Sequence, residues 1–180
     1  FYKISFFSFL FCITMKLSKI DRKKGVFPMA NRIMLNQTSY HGAGAIEEIA
    51  NEAKAHAFRK AFVCSDPDLI KFGVTAKVTD ILDREGLAYE IYSDIKANPT
   101  IENVKNGVAA FKASGADYII AIGGGSAMDA AKIMWVMYEH PDVDFSDMAM
   151  DFMDIRKRVY TFPKMGEKAY FIAVPTSAGT

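Results

Sequence analysis

The sequence predicts an α/β protein: an open, mainly parallel sheet with helices on both faces. Short apolar runs of strand length alternate along the chain with segments whose apolar residues recur every three or four positions, as in helices with one buried face. Strands separated by helices imply parallel pairing through right-handed crossovers. The third observation is local. The apolar run Tyr118–Ile122 breaks into three glycines, Gly123, Gly124 and Gly125, directly before a helical pattern, so bare backbone is called for where a strand hands over to a helix.

The elements follow in order. RIMLN, Arg32–Asn36, reads as a short strand, and Ile46–Phe58 as a helix with Ile46, Ile49, Ala50, Ala53 and Ala57 on one face. KAFVCS, Lys60–Ser65, is a compact strand. Phe72–Gly86 reads as a helix ended by its glycine, and Leu87–Ser93 as the strand after it. Thr100 is an N-cap for a helix running to Gly115, with Ile101, Val104, Val108 and Phe111 as its apolar stripe. DYIIAIG, residues 117–123, is a buried strand, and IMWVMY, Ile133–Tyr138, is the core face of the helix beyond the glycines. A long, charged, poorly periodic insertion, Asp142–Lys168, precedes a last strand, AYFIAVP.

Composition bounds the function. The chain has 180 residues, 51% hydrophobic and 24% charged, enough for one good core. A net charge of +1 gives no electrostatic reason to expect nucleic acid as a partner. Cys12 and Cys64 lie far apart without zinc or disulfide spacing, which fits a reducing compartment and a cytoplasmic location. The apolar run Ile4–Thr14 is shorter than the ~18 residues a spanning helix needs, so no membrane partner is expected, with a membrane-associating extension as the lesser reading of this stretch. With Met29 read as the natural start, residues 1–28 are expected to be a disordered or non-native extension. Residues 29–180 are then one domain of a longer protein, truncated at its C-terminal end.

In open α/β sheets ligands gather at the carboxyl ends of the strands. Those ends carry Asp66; then Asp94, Asn98 and Pro99; then Gly123 to Ser126; then Pro175 to Thr180. Glycines leave no Cβ between backbone N–H groups and an incoming oxygen, and a following helix presents unpaired amides and a positive dipole end. That combination is a seat for a pyrophosphate. Two purely structural readings stand beside it: Ser126 with Asp129 fits a capping box, and Asp66, before Pro67, fits the cap of a turn or short helix.

GGGSAMDAAK, with VPTSAGT some way downstream, NPT at Asn98–Thr100 and SDPDL at Ser65–Leu69, closely resembles the iron-containing (group III) alcohol dehydrogenases over the whole chain beyond its first 28 residues. MANRIMLN and ASGADYIIAIGGGS look like the lactaldehyde reductase branch. The stretch from MWVMYEHPDVDF to FIAVPTS looks like the alcohol dehydrogenase half of the bifunctional aldehyde-alcohol dehydrogenases. The resemblance implies a Rossmann-like NAD-binding domain followed by a helical metal domain absent from this sequence. It places Gly124, Gly125 and Ser126 in the pyrophosphate loop, with Asp129 at the start of its helix. Asp66 becomes the acid near the adenosine ribose, which favours NAD over NADP by repelling a 2′-phosphate. Asn98 lies beside the cofactor, and Thr176, Ser177, Ala178, Gly179 and Thr180 form the hydroxyl-rich loop on the phosphate and nicotinamide side.

The implied activity is hydride transfer between NAD(H) and a small primary alcohol or its aldehyde. In the intact protein a divalent metal, iron or alternatively zinc, is implied, as is a homo-oligomer. The family's metal ligands, one aspartate and three histidines, match none of His41, His56 and His140, which read as surface or loop residues; this fragment alone is expected to be inactive. Two other readings fit the same residues: a zinc-dependent polyol dehydrogenase, and a nucleotide-binding module without catalysis.

Overall fold

The computed structural model describes residues 38–96, 99–143 and 163–177. The expected strand Arg32–Asn36, the extension 1–28, and most of the charged insertion lie outside them. Four strands form one parallel sheet: β1, Lys60–Ser65; β2, Ala88–Tyr92; β3, Tyr118–Gly123; and β4, Tyr170–Pro175. Their order across the sheet is β2-β1-β3-β4. Each differs from its expected span by at most one residue at either end. The helices are α1, Glu48–Ala55; α2, Pro67–Lys71; α3, Ala76–Arg84; α4, Ile101–Ser114; and α5, Gly125–Glu139.

Period-two alternation in the two central strands separates two cores. Phe62 and Cys64 of β1 and Ile119 and Ala121 of β3 pack with Val104, Val108 and Phe111 of α4 and Ala127, Ala130 and Met134 of α5. Ala61 and Val63 of β1 and Tyr118, Ile120 and Ile122 of β3 pack on the other face with Ile49 and Ala53 of α1 and Val78 and Leu82 of α3. β1 and β3 are buried on both faces, as central parallel strands must be. Each fully buried Ile or Phe contributes roughly 1.5–3 kcal/mol relative to an exposed one.

Local chemistry fixes the ends. Thr100 caps α4 by accepting from the Asn103 amide at 3.2 Å while Asn103 accepts from the Thr100 amide, and Gly115 ends the helix at φ 64. The Asp117 carboxylate accepts from the amides of Arg59 and Lys60, tying the foot of β1 to that of β3.

Two faces differ from expectation. Ile101, at the first position of α4, is 40% exposed because the helix has not yet reached the sheet. The first helix begins as a 3-10 turn at Ala45–Glu47 and stops at Ala55, not Phe58. Ala57 swings to φ 55 and out of the buried face, which lets Phe58 stack on Tyr118 and pack tilted against Tyr170, at ring distances of 4.9 and 5.3 Å. The helix expected over Phe72–Gly86 is likewise shortened to α3, and the turns before it leave Phe72 exposed.

Among the described residues, no helix is long and apolar enough to cross a membrane.

Candidate functional site

The strand order contains a reversal. From β1 the chain crosses by α3 to β2 on one side, then returns by α4 over the opposite face to β3 on the other side. β1 and β3 are therefore neighbours whose outgoing connections part to opposite faces, and the crevice between their carboxyl ends is the switch point where such sheets bind ligands. The residues there are Asp66 after β1 and Gly123 to Ser126 after β3.

Gly123 sits at φ 153, a backbone region open essentially to glycine alone. A Cβ built on it would lie 2.6 Å from the Ala127 Cβ, 3.6 Å from Leu69 Cδ1 and 3.8 Å from Asp66 Oδ2. The bare backbone is thus needed for two reasons: the chain turns sharply, and α5 folds back within methyl distance of the turn. Leu69 and Ala127, which wall the corner, lie within SDPDL and GGGSAMDAAK, yet nothing local in the sequence marks them as its walls. Gly123 could have been singled out as the first glycine of the triplet.

α5 begins two residues earlier than a Ser126 cap requires. Gly124 is its N-cap and makes no side-chain cap bond, and the first helical hydrogen bond runs from the Met128 amide to the Gly124 carbonyl at 3.1 Å. The capping box read from Ser126 and Asp129 is therefore corrected. Ser126 lies inside the first turn, and Asp129 is 7% exposed one turn in. Among the described residues no side chain accepts from the amides of Gly125, Ser126 and Ala127. Burial raises the Asp129 carboxyl above its ordinary range, opposed by the charge of Lys132; the same burial lowers the Lys132 ammonium, opposed by Asp129.

Asp66 does cap a short helix. Its Oδ1 accepts from the Leu69 amide at 2.9 Å at the start of α2, with Pro67 at the first helical position. That structural role leaves its second oxygen beside Gly123. Beneath the corner, Ser65 and Thr75 share a buried hydroxyl hydrogen bond of 2.7 Å. On the other side the Thr176 amide donates to the Gly123 carbonyl at 3.0 Å, and Ser177 Oγ stands 3.6 Å from where a Cβ on Gly124 would be. Among the described residues nothing outside its own helix turn lies within 4 Å of a Cβ position on Gly125. The structure thus brings Asp66, the glycine turn, Thr176 and Ser177 to one corner. Asn98, Ala178, Gly179 and Thr180 lie outside the described residues.

Nucleophile and metal chemistry have no such grouping. Burial pushes the Cys64 thiol up to about 12, so it stays neutral and unreactive. The His56 ring stacks on Phe58 at 5.1 Å and faces Glu52 at 3.3 Å; His140 Nε2 lies 2.8 Å from the Lys164 carbonyl. Among the described residues no three His, Cys, Asp or Glu side chains are grouped to hold a metal ion, so these residues do not fit the family's metal.

A parallel sheet with a glycine turn and uncapped helix amides at its switch point defines the class: a doubly wound, Rossmann-like α/β domain. The chain belongs to the iron-containing alcohol dehydrogenase family, whose sequence profile matches residues 36–180. It is 41% identical over 161 residues to the bifunctional aldehyde-alcohol dehydrogenase of Escherichia coli, covering 88% of this chain and 18% of that protein. It is also 41% identical over 152 residues to the lactaldehyde reductase of Escherichia coli, covering 84% of this chain and 37% of that one. Among solved structures, the NADH-dependent butanol dehydrogenase A of Thermotoga maritima superposes with a TM-score of 0.60 at 27% identity, over 82% of this chain and 35% of that one. The chain thus spans well under half the length of the relatives it matches.

Proposed function

We propose that this domain holds NAD(H) at the β1–β3 switch point and serves an oxidoreductase acting on a small primary alcohol or its aldehyde. The observation that carries the reading is the corner itself: amides of Gly125 and Ser126 at a helix N-terminus with no side-chain acceptor among the described residues, and the second carboxylate oxygen of Asp66 across the turn beside Gly123. The amides and the positive end of α5 seat the diphosphate. Asp66 accepts from the adenosine ribose hydroxyls, and Thr176 and Ser177 close the phosphate side, with Asn98, Ala178, Gly179 and Thr180 completing it. Asp129 belongs to the wall of the seat, its charge offset by Lys132. NAD, when bound, supplies the hydride-accepting nicotinamide; the chain's residues fix where that ring lies and exclude a 2′-phosphate.

The naming of related proteins as lactaldehyde reductase, aldehyde-alcohol dehydrogenase and NADH-dependent butanol dehydrogenase supports both the substrate class and the choice of NAD. In this reading residues 29–180 are the cofactor half of a cytoplasmic homo-oligomer. A divalent metal, iron by family, would be held outside the described residues.

Cofactor choice tests the reading. Asn caps a helix about as well as Asp, so Asp66→Asn keeps the bond to Leu69 and removes only the charge. Calorimetric titration of the variant should show NADP binding strengthened about tenfold relative to NAD, with thermal stability within about 0.5 kcal/mol of the parent. An unchanged NAD to NADP ratio would reject the ribose role of Asp66.

A further inference from the structure

The far end of α5 carries an acid where an acid does not belong. Glu139 is the last residue of the helix, at its negative dipole end, and is 2% exposed. Neither the helix dipole nor solvation favours a carboxylate there. What it gains is a run of four consecutive amides: Oε1 accepts from Gly166, Lys168 and Ala169 at 3.0, 3.2 and 3.0 Å, and Oε2 from Gly166 and Glu167 at 2.9 and 3.3 Å. Lys168 Nζ donates back to the Glu139 carbonyl at 2.6 Å, and Trp135 Nε1 donates to the Ala169 carbonyl at 2.8 Å. Gly166, at φ 86, lets the chain wrap the carboxylate.

Ala169 leads directly into β4. Among the described residues β4 pairs with β3 alone, in the register Tyr118 to Tyr170 through Gly123 to Pro175. A slip of two residues would keep every side chain on its own face, so alternation does not forbid it. The Glu139 clamp does, because it fixes where the strand begins. Six residues on, the same register delivers the Thr176 amide to the Gly123 carbonyl and Ser177 to Gly124.

We infer that Glu139 is a positioning residue: by clamping residues 166–169 to the end of α5, it sets the register that brings Thr176 and Ser177 onto the glycine turn at the start of the same helix. For dinucleotide binding this inference rests on the reading given above; for strand register it stands on the hydrogen bonds alone.

The test compares the 180-residue chain with Glu139→Gln, whose amide turns an NH2 toward the backbone donors. Amide hydrogen exchange is followed at residues 166–169, at Thr176, and at Val63 and Ile120 in the central strands, with NADH affinity measured by the coenzyme's own fluorescence. Thr176 and the 166–169 amides should exchange about tenfold faster than any change at Val63 and Ile120 accounts for, and NADH should bind about tenfold more weakly. A role in general stability would move all these amides together, and that result overturns the inference. So does an opening of 166–169 that leaves Thr176 protected. If NADH binds the parent chain no better than a Gly125→Asp control, the dinucleotide reading fails while the exchange data still decide the register. Should Glu139→Gln not fold, Glu139→Asp keeps the charge but draws the carboxylate back by one methylene from the 166–169 amides, and Thr176 should exchange about threefold faster; no change there overturns the inference equally.

Discussion

Gly125→Asp is expected to weaken dinucleotide binding by about 100-fold or more while leaving the melting temperature unchanged or slightly raised. The two effects separate because the position is structurally open and electrostatically committed. Outside its own helix turn, no atom of the described residues lies within 4 Å of a Cβ on Gly125, the first residue of α5. An acid there complements the helix dipole by ~0.3–1 kcal/mol, and loss of a glycine lowers the entropy of the unfolded chain by a similar amount. Against a bound diphosphate the same acid is a like charge at close range, worth on the order of 4 kcal/mol at 4 Å and an effective dielectric of 20. Calorimetric titration with NAD and a thermal melt on the same sample check both halves. Undiminished binding would remove the diphosphate from the start of α5.

Gly123→Ala should act in the opposite way, through the fold first. Its φ of 153 admits a side chain only with strain of about 1–3 kcal/mol. The added methyl would meet the Ala127 Cβ at 2.6 Å, an atom fixed to the backbone of α5 that cannot turn aside. Overpacking of that kind costs a further ~1–3 kcal/mol. A loss of roughly 2–6 kcal/mol should lower the melting temperature of a domain this size by about 5 °C or more. A drop under about 2 °C would mean the turn has another conformation available. Relief of the clash by the double variant Gly123→Ala, Ala127→Gly should recover part of the loss, although the φ strain remains.

The contrast between neighbouring glycines shows where the sequence alone runs out. The alternation of apolar runs and helical stripes was sufficient for the strands, because β1 and β3 are buried on both faces and tolerate little else. The Thr100 cap was legible for the same local reason. Helix ends governed by distant partners were not. Ala55 ends α1 because Phe58 must reach Tyr118 and Tyr170, which lie in strands far along the chain. The Ser126–Asp129 pair matched a capping box in spacing, yet α5 starts at Gly125, and Asp129 is turned into the protein beside Lys132.

By itself, then, the sequence determined the class of sheet, its parallel pairing and the presence of a glycine turn after β3, since these follow from patterns within a few residues of one another. Which glycine is indispensable, that Asp66 both caps α2 and faces that turn, and that Glu139 ties the end of α5 to the foot of β4 were decided only in three dimensions. The physical reason is the same in each case. These are contacts between segments brought together by the order of strands, and one chain position carries no trace of the neighbour that packing will give it.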